Sequence, residues 1–457
     1  MKTITYSLLL GLSACISNES IYMNFSETQL THAAQGHTIH NTQVFSKDSR
    51  WVVYDTRNDD TQIGSTGSIG MVNTETSEVR LLYQTTNQTE AGPGVGAVTF
   101  SPTEDRVLFI HGIRNADVSR PYGMTRRTGV AIAIDHPGEP IFMDARDILP
   151  PFTEGALRGG THAHSWSGDG KWISFTYNDY VMEQLAKTDA TVRDLRTVGI
   201  MMPRHVDVEQ DNTLENNSGT YFSVIVTDVT ENPKLGSDEI DKAFDECWIG
   251  ENGYQKPDGS WQAKAIAFQG NVRNGKGETV TEIFVVDLPA DPTKAINSRP
   301  LEGTLTSRPG VPSGVIQRRI TFTANGVEGP RHWLRATPDG KLICFLAQDG
   351  RGTIQIFGVS PNGGAIRQVT NNDFSIQGPF NLNPTGQWVA YPADNSVFIT
   401  SLATGDTYRI TDRFTDEDKP VGAPNWSPDG NSIAYNRYVR GEGTDRYLQV
   451  FLLRKTD

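Results

Sequence analysis

The sequence predicts an all-β fold, a β-propeller of seven four-stranded antiparallel blades, and three observations predict it. One short turn phrase occurs six times along the 457-residue chain. The copies are separated by intervals that suit one blade each or a small multiple of a blade. Each copy lies between two apolar runs of strand length. A hairpin that recurs along a chain indicates one supersecondary unit stacked on copies of itself.

The turn phrase joins the end of one strand to the start of the next. In the copy at 426–435 it reads Trp-Ser-Pro-Asp-Gly-Asn-Ser-Ile-Ala-Tyr. Proline fixes φ for the turn, and Asp-Gly tolerates the left-handed corner. The other five copies begin at Phe45, Phe100, Trp166, Ala336 and Leu382.

The spacing of the turns predicts the number of blades. The Ser, Thr or Asn that opens each turn stands at 46, 101, 167, 337, 383 and 427, so the steps are 55, 66, 170, 46 and 44 residues. A four-stranded blade takes roughly 40 to 50 residues. The first two steps therefore fit a blade with a loop insertion, and the 170-residue step contains a blade without the turn phrase.

The blade without the turn phrase is predicted at the apolar runs 263–268 and 281–288, which gives seven blades. An eighth blade near 221–226 is the alternative. The region 181–260 is interpreted as a partly helical insertion over one face of the disc. A β-sandwich with coincidental turns is the competing fold, and six turns of one type at near-regular spacing disfavour it.

The N-terminus predicts export and a lipid anchor. Lys2 precedes the apolar run Leu8–Leu12, and small residues follow, as in a signal peptide covering 1–14. Leu12-Ser13-Ala14-Cys15 resembles the bacterial lipobox, which makes Cys15 the lipidated first residue of the mature chain. A chance cysteine after an ordinary signal is the alternative. We expect a tether at 15–30 and a single propeller domain at 31–457 in the cell envelope, facing the periplasm from the outer membrane in a Gram-negative host.

Charge and composition limit the partners. The net charge is −13 and the isoelectric point is about 5.2, which argues against nucleic acid and against an anionic membrane surface. Membrane contact is therefore expected only through the lipid anchor. We expect a monomer whose partner is an acidic oligosaccharide or an envelope protein.

Positions five or six residues before each turn predict a site at the axis. In a propeller these positions begin the innermost strands, next to the axial channel. His164 is predicted to lie on the same strand face as His162. Imidazoles that converge bind divalent metals, so the candidate ligands are His40, His162, His164, His332 and Gln377. A metal-free polar pocket and purely structural histidines are the alternatives.

Arginines and polar residues accompany these positions in the sequence. Arg158 precedes the histidine pair and Arg331 precedes His332. Arginine forks match carboxylates, so an anionic substrate such as a uronate sugar is expected, unless the arginines pair with acidic loops of the chain. Candidate substrate-binding residues are Asn41, Tyr177, Asn178 and Asp179.

The turn phrases resemble the PD40 (WD40-like) repeats of TolB propellers. A longer likeness, over nearly the whole mature chain, is to the YidR-like propeller family. Five segments carry it: Gly155–His164, Ser174–Asp179, Gly236–Ile240, Gln317–Thr323 and Pro330–Trp333.

The family is in turn distantly similar to oligogalacturonate lyases, seven-bladed propellers in which three histidines and one glutamine hold manganese. This resemblance implies manganese on His162, His164, His332 and Gln377, with His40 as an extra ligand. It also implies that Arg158 or Arg331 abstracts the proton next to a metal-bound carboxylate.

Two functions follow from these observations. The first is a metal-dependent lyase or hydrolase that acts on acidic oligosaccharides. The alternative is a non-catalytic, TolB-like propeller that binds a protein or carbohydrate partner. Convergence of the candidate ligands on one point distinguishes the two functions, because first-shell metal bonds need ligand atoms within about 2.0–2.6 Å of the ion.

Overall fold

The computed structural model describes residues 24–59, 61–209 and 212–456. The described chain is a seven-bladed β-propeller of four-stranded antiparallel sheets, with 43% strand and 2% helix, as the sequence predicts. In each blade the first strand lies nearest the axis, and the later strands follow outward.

The blades follow one another along the chain. Blade 1 contains β2 (Trp51–Asp55), β3 (Ser68–Asn73) and β4 (Val79–Gln84), and bridges Thr38–Asp55 and Phe45–Val52 add residues 38–45 as its innermost segment. Blade 2 contains β5 (Val95–Phe100), β6 (Arg106–Gly112), β7 (Arg127–Ala133) and β8 (Ile141–Phe142). Blade 3 contains β9 (Gly159–Trp166), β10 (Ile173–Asp179), β11 (Thr197–Val206) and β12 (Gly219–Ile225).

Blade 4 contains β13 (Ala243–Trp248), β16 (Ala265–Arg273), β17 (Thr279–Asp287) and β18 (Ile316–Arg319), with the hairpin β14 (Tyr254–Gln255) and β15 (Trp261–Gln262) between its first two strands. Blade 5 contains β19 (Arg335–Ala336), β20 (Ile343–Gln348), β21 (Ile354–Val359) and β22 (Arg367–Gln368). Blade 6 contains β23 (Asn381–Leu382), β24 (Trp388–Ala393), β25 (Ser396–Ser401) and β26 (Thr407–Arg409). Blade 7 contains β27 (Pro420–Trp426), β28 (Ser432–Arg440), β29 (Arg446–Thr456) and β1 (Asn24–Gln29).

Blade 7 closes the disc by combining both ends of the chain. β1 pairs antiparallel with β29 from Asn24 opposite Thr456 to Gln29 opposite Phe451. The Tyr435 hydroxyl also donates a hydrogen bond to the Glu27 carboxylate. Residues 24–29, expected to belong to a tether, therefore form a strand of the propeller.

The repeated turn is held by its own side chains. The Ser46 hydroxyl donates to Asp48 Oδ1 at 2.6 Å and accepts from the Trp51 backbone N–H at 3.0 Å. The same contacts occur at Ser427, whose hydroxyl donates to Asp429 at 2.5 Å. Serine and aspartate recur two residues apart because together they satisfy backbone groups that the corner leaves unpaired.

Blade 4 is the blade without the turn phrase, because residues 249–264 with the β14–β15 hairpin replace the turn. The helix expected within 181–260 is one short element, α1 (Tyr180–Ala186), and most of the rest supplies strands of blades 3 and 4. Residues near 221–226 form β12, the outermost strand of blade 3, so they do not form an eighth blade.

Apolar side chains between adjacent sheets form the core. Phe268 and Phe284 stack in blade 4 with ring centroids 5.4 Å apart. Cys247 and Cys344 are buried free thiols, and burial raises the pKa of each to about 12. No helix in the described part of the chain has both the length and the apolar character that a membrane span requires.

Candidate functional site

Each innermost strand starts on one face of the disc, here called the first face, and ends on the other, here called the turn face because it carries the repeated turns. The sequence-predicted site lies at the first face. Four innermost strands carry a register shift near this end, in β5, β9, β13 and β27. At three of these shifts a residue other than glycine has positive φ: Ala97 (56°), Ala163 (57°) and Asp245 (51°).

The bulge at Ala163 separates the two histidines of β9. His162 pairs with Thr176 across the strands, whereas two residues, 163 and 164, lie opposite Phe175. Strand alternation is therefore lost, and His162 and His164 point to opposite faces of the sheet. Their expected position on one face is wrong for this reason.

His164 points toward blade 2. It is fully buried, its Nε2 lies 3.0 Å from the Thr161 hydroxyl, and its ring lies 6.4 Å from that of Phe175. Thr161 donates in turn to the buried carboxylate of Asp144 at 3.0 Å. Burial lowers the pKa of His164 to about 3, so the ring is neutral at physiological pH.

His162 lies on the opposite side of β9, toward blade 4. Its cross-strand neighbour Thr176 donates a hydrogen bond at 3.0 Å to Glu246 of blade 4. His162 is buried, and neither of its ring nitrogens has a hydrogen-bond partner in the described structure. Burial, then the positive charges of Arg127 and Arg196, hold its pKa well below the usual value.

His332 is fixed by the backbone through both ring nitrogens. Nδ1 lies 3.0 Å from the Pro330 carbonyl, and Nε2 accepts the Leu346 backbone N–H at 3.0 Å. These contacts assign the proton to Nδ1 and occupy the lone pair on Nε2. His332 therefore has no ring nitrogen available for a metal.

The remaining candidate ligands lie apart from β9. His40 is buried, with its ring 6.0 Å from Trp333 and its Nε2 3.3 Å from the Asn41 amide. Gln377 is exposed, and its Oε1 accepts the Asn395 backbone N–H at 3.2 Å.

The axis below these residues is filled by polar side chains. The Gln43 amide of blade 1 bonds both backbone groups of Trp166 in blade 3, at 2.8 and 2.9 Å. Arg335 of blade 5 donates to the Asn41 carbonyl of blade 1 at 2.7 Å and to the Asn381 amide of blade 6 at 2.5 Å. The Gln43–Trp166 and Arg335–Asn41 bonds join non-adjacent blades, and the Arg335–Asn381 bond joins neighbouring ones, so side chains close the centre of the disc.

The manganese site that the lyase resemblance implies does not fit these side chains. No group of three or more His, Cys, Asp or Glu side chains within residues 24–59, 61–209 and 212–456 is placed to hold a metal ion. His162 and His164 diverge, and His332 is bound at both nitrogens. The five candidate ligands do not form a common coordination sphere.

Arg158 has a structural environment. Its side chain is 1% exposed, and its Nε donates to Asp179 at 3.0 Å. The two terminal nitrogens donate to the carbonyls of Thr304 and Ser307, the latter at 2.6 Å. Arg158 therefore ties the loop at 304–307 to blade 3, and its side chain is enclosed.

The polar residues at the end of β10 are also fixed internally. Asp179 caps α1 by accepting the Met182 N–H at 3.0 Å, and it accepts the Tyr177 hydroxyl at 3.2 Å. The Asn178 amide donates to Asp194 at 2.7 Å. Tyr177, Asn178 and Asp179 are all buried, so the structure gives them a role in packing and capping.

Four cations gather at the first face, and three of them, all except the lysine, act on His162. We call this group, Arg127, Arg196, Lys242 and Arg331, the cationic mouth. Arg127 begins β7, Arg196 and Lys242 stand one residue before β11 and β13, and Arg331 precedes β19. Their charges act on one another: burial and then Arg196 lower the pKa of Lys242, and burial and then Arg331 lower that of Arg196.

One carboxylate, Asp245, lies among these cations: burial raises its pKa, and the charges of Arg331, Arg196 and Lys242 oppose that rise. Arg331 lies 3.3 Å from Asp245, which is buried. Arg127, Arg196 and Lys242 form no ion pair with any carboxylate of the described residues. Arg127 is buried and instead donates to the Gly123 carbonyl at 3.0 Å.

A cavity of about 440 Å³ opens beside three of these cations, and Arg127 and His162 lie outside its lining. That volume suits a small-molecule ligand. Its lining includes Arg196, Lys242, Asp245 and Arg331. The site predicted from the sequence did not include Arg127, Arg196 and Lys242, because none of them lies five or six residues before a repeated turn. Arg127 begins a third strand, Arg196 stands one residue before another, and Lys242 stands one residue before the first strand of the blade without the turn phrase.

The sequence is 37% identical over 424 residues to YidR, an uncharacterized protein of Escherichia coli (strain K12), and the alignment covers 91% of this chain and 96% of YidR. The chain belongs to the YidR family. A family model described as a protein of unknown function (DUF3748) matches residues 94–216. That segment spans blades 2 and 3 nearly completely and contains Arg127, His162 and Arg196.

Solved structures share the architecture. An oligogalacturonate lyase in complex with manganese aligns with a TM-score of 0.54 and 11% identity, over 96% of this chain and 95% of the lyase. An oligogalacturonate lyase from Vibrio parahaemolyticus aligns with a TM-score of 0.51 and 10% identity, over 94% and 97%. At these identities the likeness establishes the fold alone, and it agrees with the propeller that the sequence predicts.

Proposed function

We propose that this protein binds an acidic, uronate-containing oligosaccharide at the cationic mouth. The observation that carries the proposal is the excess of cations at this mouth: Arg127, Arg196 and Lys242 form no ion pair with a described carboxylate, and the cavity lining contains the single carboxylate Asp245. After burial, the charges of Arg127 and Arg196 lower the pKa of the nearby His162, and both nitrogens of that ring are without a partner in the described structure.

The charge balance of the chain supports an external anion. Acidic residues outnumber Lys and Arg by 54 to 41, so intramolecular carboxylates are plentiful. Arg158 does pair with one, Asp179, as the structural alternative expects. Burying unpaired cations is costly, and a ligand carboxylate would offset that cost. The potential of a cation-lined cavity also raises the local concentration of anions.

The arrangement of the cations favours a ligand with several spaced charges. The four side chains come from β7 and from the segments before β11, β13 and β19, so they lie around the mouth. A uronate oligosaccharide carries one carboxylate per residue, and guanidinium groups bind carboxylates through two parallel hydrogen bonds. Such a ligand would contact several cations at once.

Isothermal titration calorimetry with trigalacturonate tests this proposal. Its methyl ester is the matched ligand, because it has the same sugar skeleton without charge. We expect binding of the acid, weakening with salt, and at least tenfold weaker binding of the ester and of Arg196→Gln, since hydrogen bonds to charged groups contribute about 1.5–3 kcal/mol each.

Arg80→Gln is the matched protein control, because it removes the same charge from the exposed edge of blade 1. It should bind trigalacturonate as the unaltered protein does. Equal binding of acid and ester, no binding of the acid, or full binding by Arg196→Gln would overturn the proposal.

Turnover of the same ligand is a further part of the proposal, and it rests on Arg331. The Arg331 side chain is 54% exposed and lines the cavity, whereas Arg158 is enclosed. A lyase reaction would therefore use Arg331 to contact the sugar next to its carboxylate. Release of unsaturated uronate from trigalacturonate, absent in Arg331→Gln, is the measurement. Binding without any release would leave a non-catalytic receptor.

We also propose that the mature protein is anchored in the cell envelope through Cys15. The sequence Leu12-Ser13-Ala14-Cys15 supports this, and it lies outside the described residues. Labelling cells with an alkyne fatty acid should mark the unaltered protein and leave Cys15→Ser unmarked. Equal labelling of both, or labelling of neither, would refute the anchor.

A further inference from the structure

The turn face carries a second cavity, on the side of the disc opposite the cationic mouth. It lies between the β14–β15 hairpin of blade 4 and two turns of blade 5, and its volume is about 680 Å³. The hairpin belongs to the segment 249–264, which stands where the other six blades have a tight turn. This elaboration therefore creates one wall of the cavity.

The hairpin is held firmly against blade 5. The Glu251 backbone N–H donates to the Pro338 carbonyl at 2.9 Å, and the Asn362 amide donates to the Gln255 carbonyl at 2.9 Å. A side chain at Gly340, which has a φ of 69°, would collide with the Gly253 carbonyl. The wall and the floor of the cavity are therefore preformed.

An exposed tryptophan forms part of the hairpin wall. Trp261 is 56% exposed, although its indole N–H is fixed by a 2.7 Å bond to the Asn252 carbonyl. Leaving a large apolar ring in water forgoes the free energy that its burial would contribute. Because the N–H bond fixes the ring, its face is presented to the cavity at little entropic cost.

The polar groups around the ring suit a sugar. The cavity is lined by Asn252, Gln255, Ser360 and Asn362, which offer amide and hydroxyl donors and acceptors. The two charged residues in the lining, Lys341 and Asp339, lie 3.0 Å apart and neutralise each other. An aromatic face flanked by neutral hydrogen-bonding groups fits a pyranose ring, which has an apolar C–H face and a hydroxyl edge.

We infer that this cavity binds a pyranose unit of a neutral oligosaccharide, stacked on Trp261. The site is independent of the proposed uronate site, since the two lie on opposite faces and share no residue. A propeller with both sites would hold a glycan at one face and an acidic oligosaccharide at the other.

Saturation-transfer difference NMR with cellohexaose, maltohexaose and mannohexaose tests the inference. We expect transfer to at least one hexaose, a dissociation constant raised at least tenfold by Trp261→Ala, and a smaller effect of Trp261→Phe. Phe322→Ala is the matched control, because Phe322 is 70% exposed but stacks on Arg319 on blade 4 away from the cavity.

Two further variants separate this site from the cationic mouth and from misfolding. Arg196→Gln should leave hexaose binding unchanged, and Trp261→Ala should leave trigalacturonate binding unchanged. Asn362→Ala, which keeps the tryptophan, should weaken the hexaose severalfold. The inference is overturned if no hexaose binds, or if Trp261→Ala binds as tightly as the unaltered protein.

Discussion

Replacing Arg158 with alanine should destabilise the propeller without removing its ligand site. The side chain is 1% exposed, and the substitution leaves the Asp179 carboxylate, itself 4% exposed, without its cation. Removing one partner of a buried ion pair costs about 3–5 kcal/mol. The bonds to the Thr304 and Ser307 carbonyls are lost as well, which places the cost in the upper part of that range.

The expected shift in melting temperature follows from the size of the chain. Unfolding entropy of roughly 2.1 cal/mol/K per residue gives about 1 kcal/mol/K for 457 residues. A loss of about 3–5 kcal/mol therefore lowers the melting temperature by about 3–5 °C. Differential scanning calorimetry measures this, with Arg80→Ala as the control. Arg80 pairs with Glu78 at the surface, both about half exposed, and such pairs contribute about 0–1 kcal/mol.

Ligand binding distinguishes a structural Arg158 from a catalytic one. Well below the melting temperature, Arg158→Ala should bind and process trigalacturonate as the unaltered protein does, because Arg158 does not line the cavity at the first face. An unchanged melting temperature would refute the structural reasoning. A stable variant that loses only turnover would restore the catalytic role that the sequence resemblance implied.

Three other predictions follow from buried charges and from the closure of the disc. Burial raises the pKa of Glu246 to about 7, so folding favours its protonated form, and the free energy of unfolding falls as the pH rises from about 4.5 to 7. Glu246→Gln should remove roughly 3 kcal/mol of this pH-dependent fall. Urea unfolding at pH 5 and pH 8 measures it. Burial opposes the ionisation of Glu215, but hydrogen bonds from Arg126 and Asn115 keep its pKa below the usual value. The stability that ionised Glu215 contributes is therefore present above its unfolded-state pKa and is lost as the pH falls through its folded-state pKa. Glu215→Gln leaves Arg126 and Arg146 buried without their anion, and it should cost about 3–5 kcal/mol of stability at neutral pH and less in acid. A chain that starts at residue 30 should melt below one that starts at residue 24, because it lacks β1 and exposes the edge of β29; equal melting temperatures would refute the closure.

The sequence predicted the blades because the turns are determined locally. Ser46 and Asp48 satisfy each other and the adjacent backbone within six residues, so the phrase and its geometry occur together. Blade 4 could not be predicted from the turn phrase, because it lacks that phrase. Its β14–β15 hairpin makes different contacts, so only the apolar strands β16 and β17 revealed the blade.

The candidate metal site was not predictable to the same degree, because it depends on contacts between distant residues. Alternation places His162 and His164 on one face, but the bulge at Ala163 separates them. The local sequence does not predict that bulge, because alanine has no preference for positive φ. The occupation of both His332 nitrogens depends on Pro330 and on Leu346 in the next strand.

The cationic mouth, in contrast, follows a rule that the sequence could have supplied. In an antiparallel blade the first and third strands run in the same direction, so both begin at the first face. Arg127 begins a third strand and Arg196 immediately precedes one, and each therefore joins the residues that start the innermost strands. If the starts of the third strands are compared together with the starts of the innermost strands, the sequence predicts these cations beside His162. The relevant signal in such a propeller is therefore charge at the starts of alternate strands, more than histidine spacing within one strand.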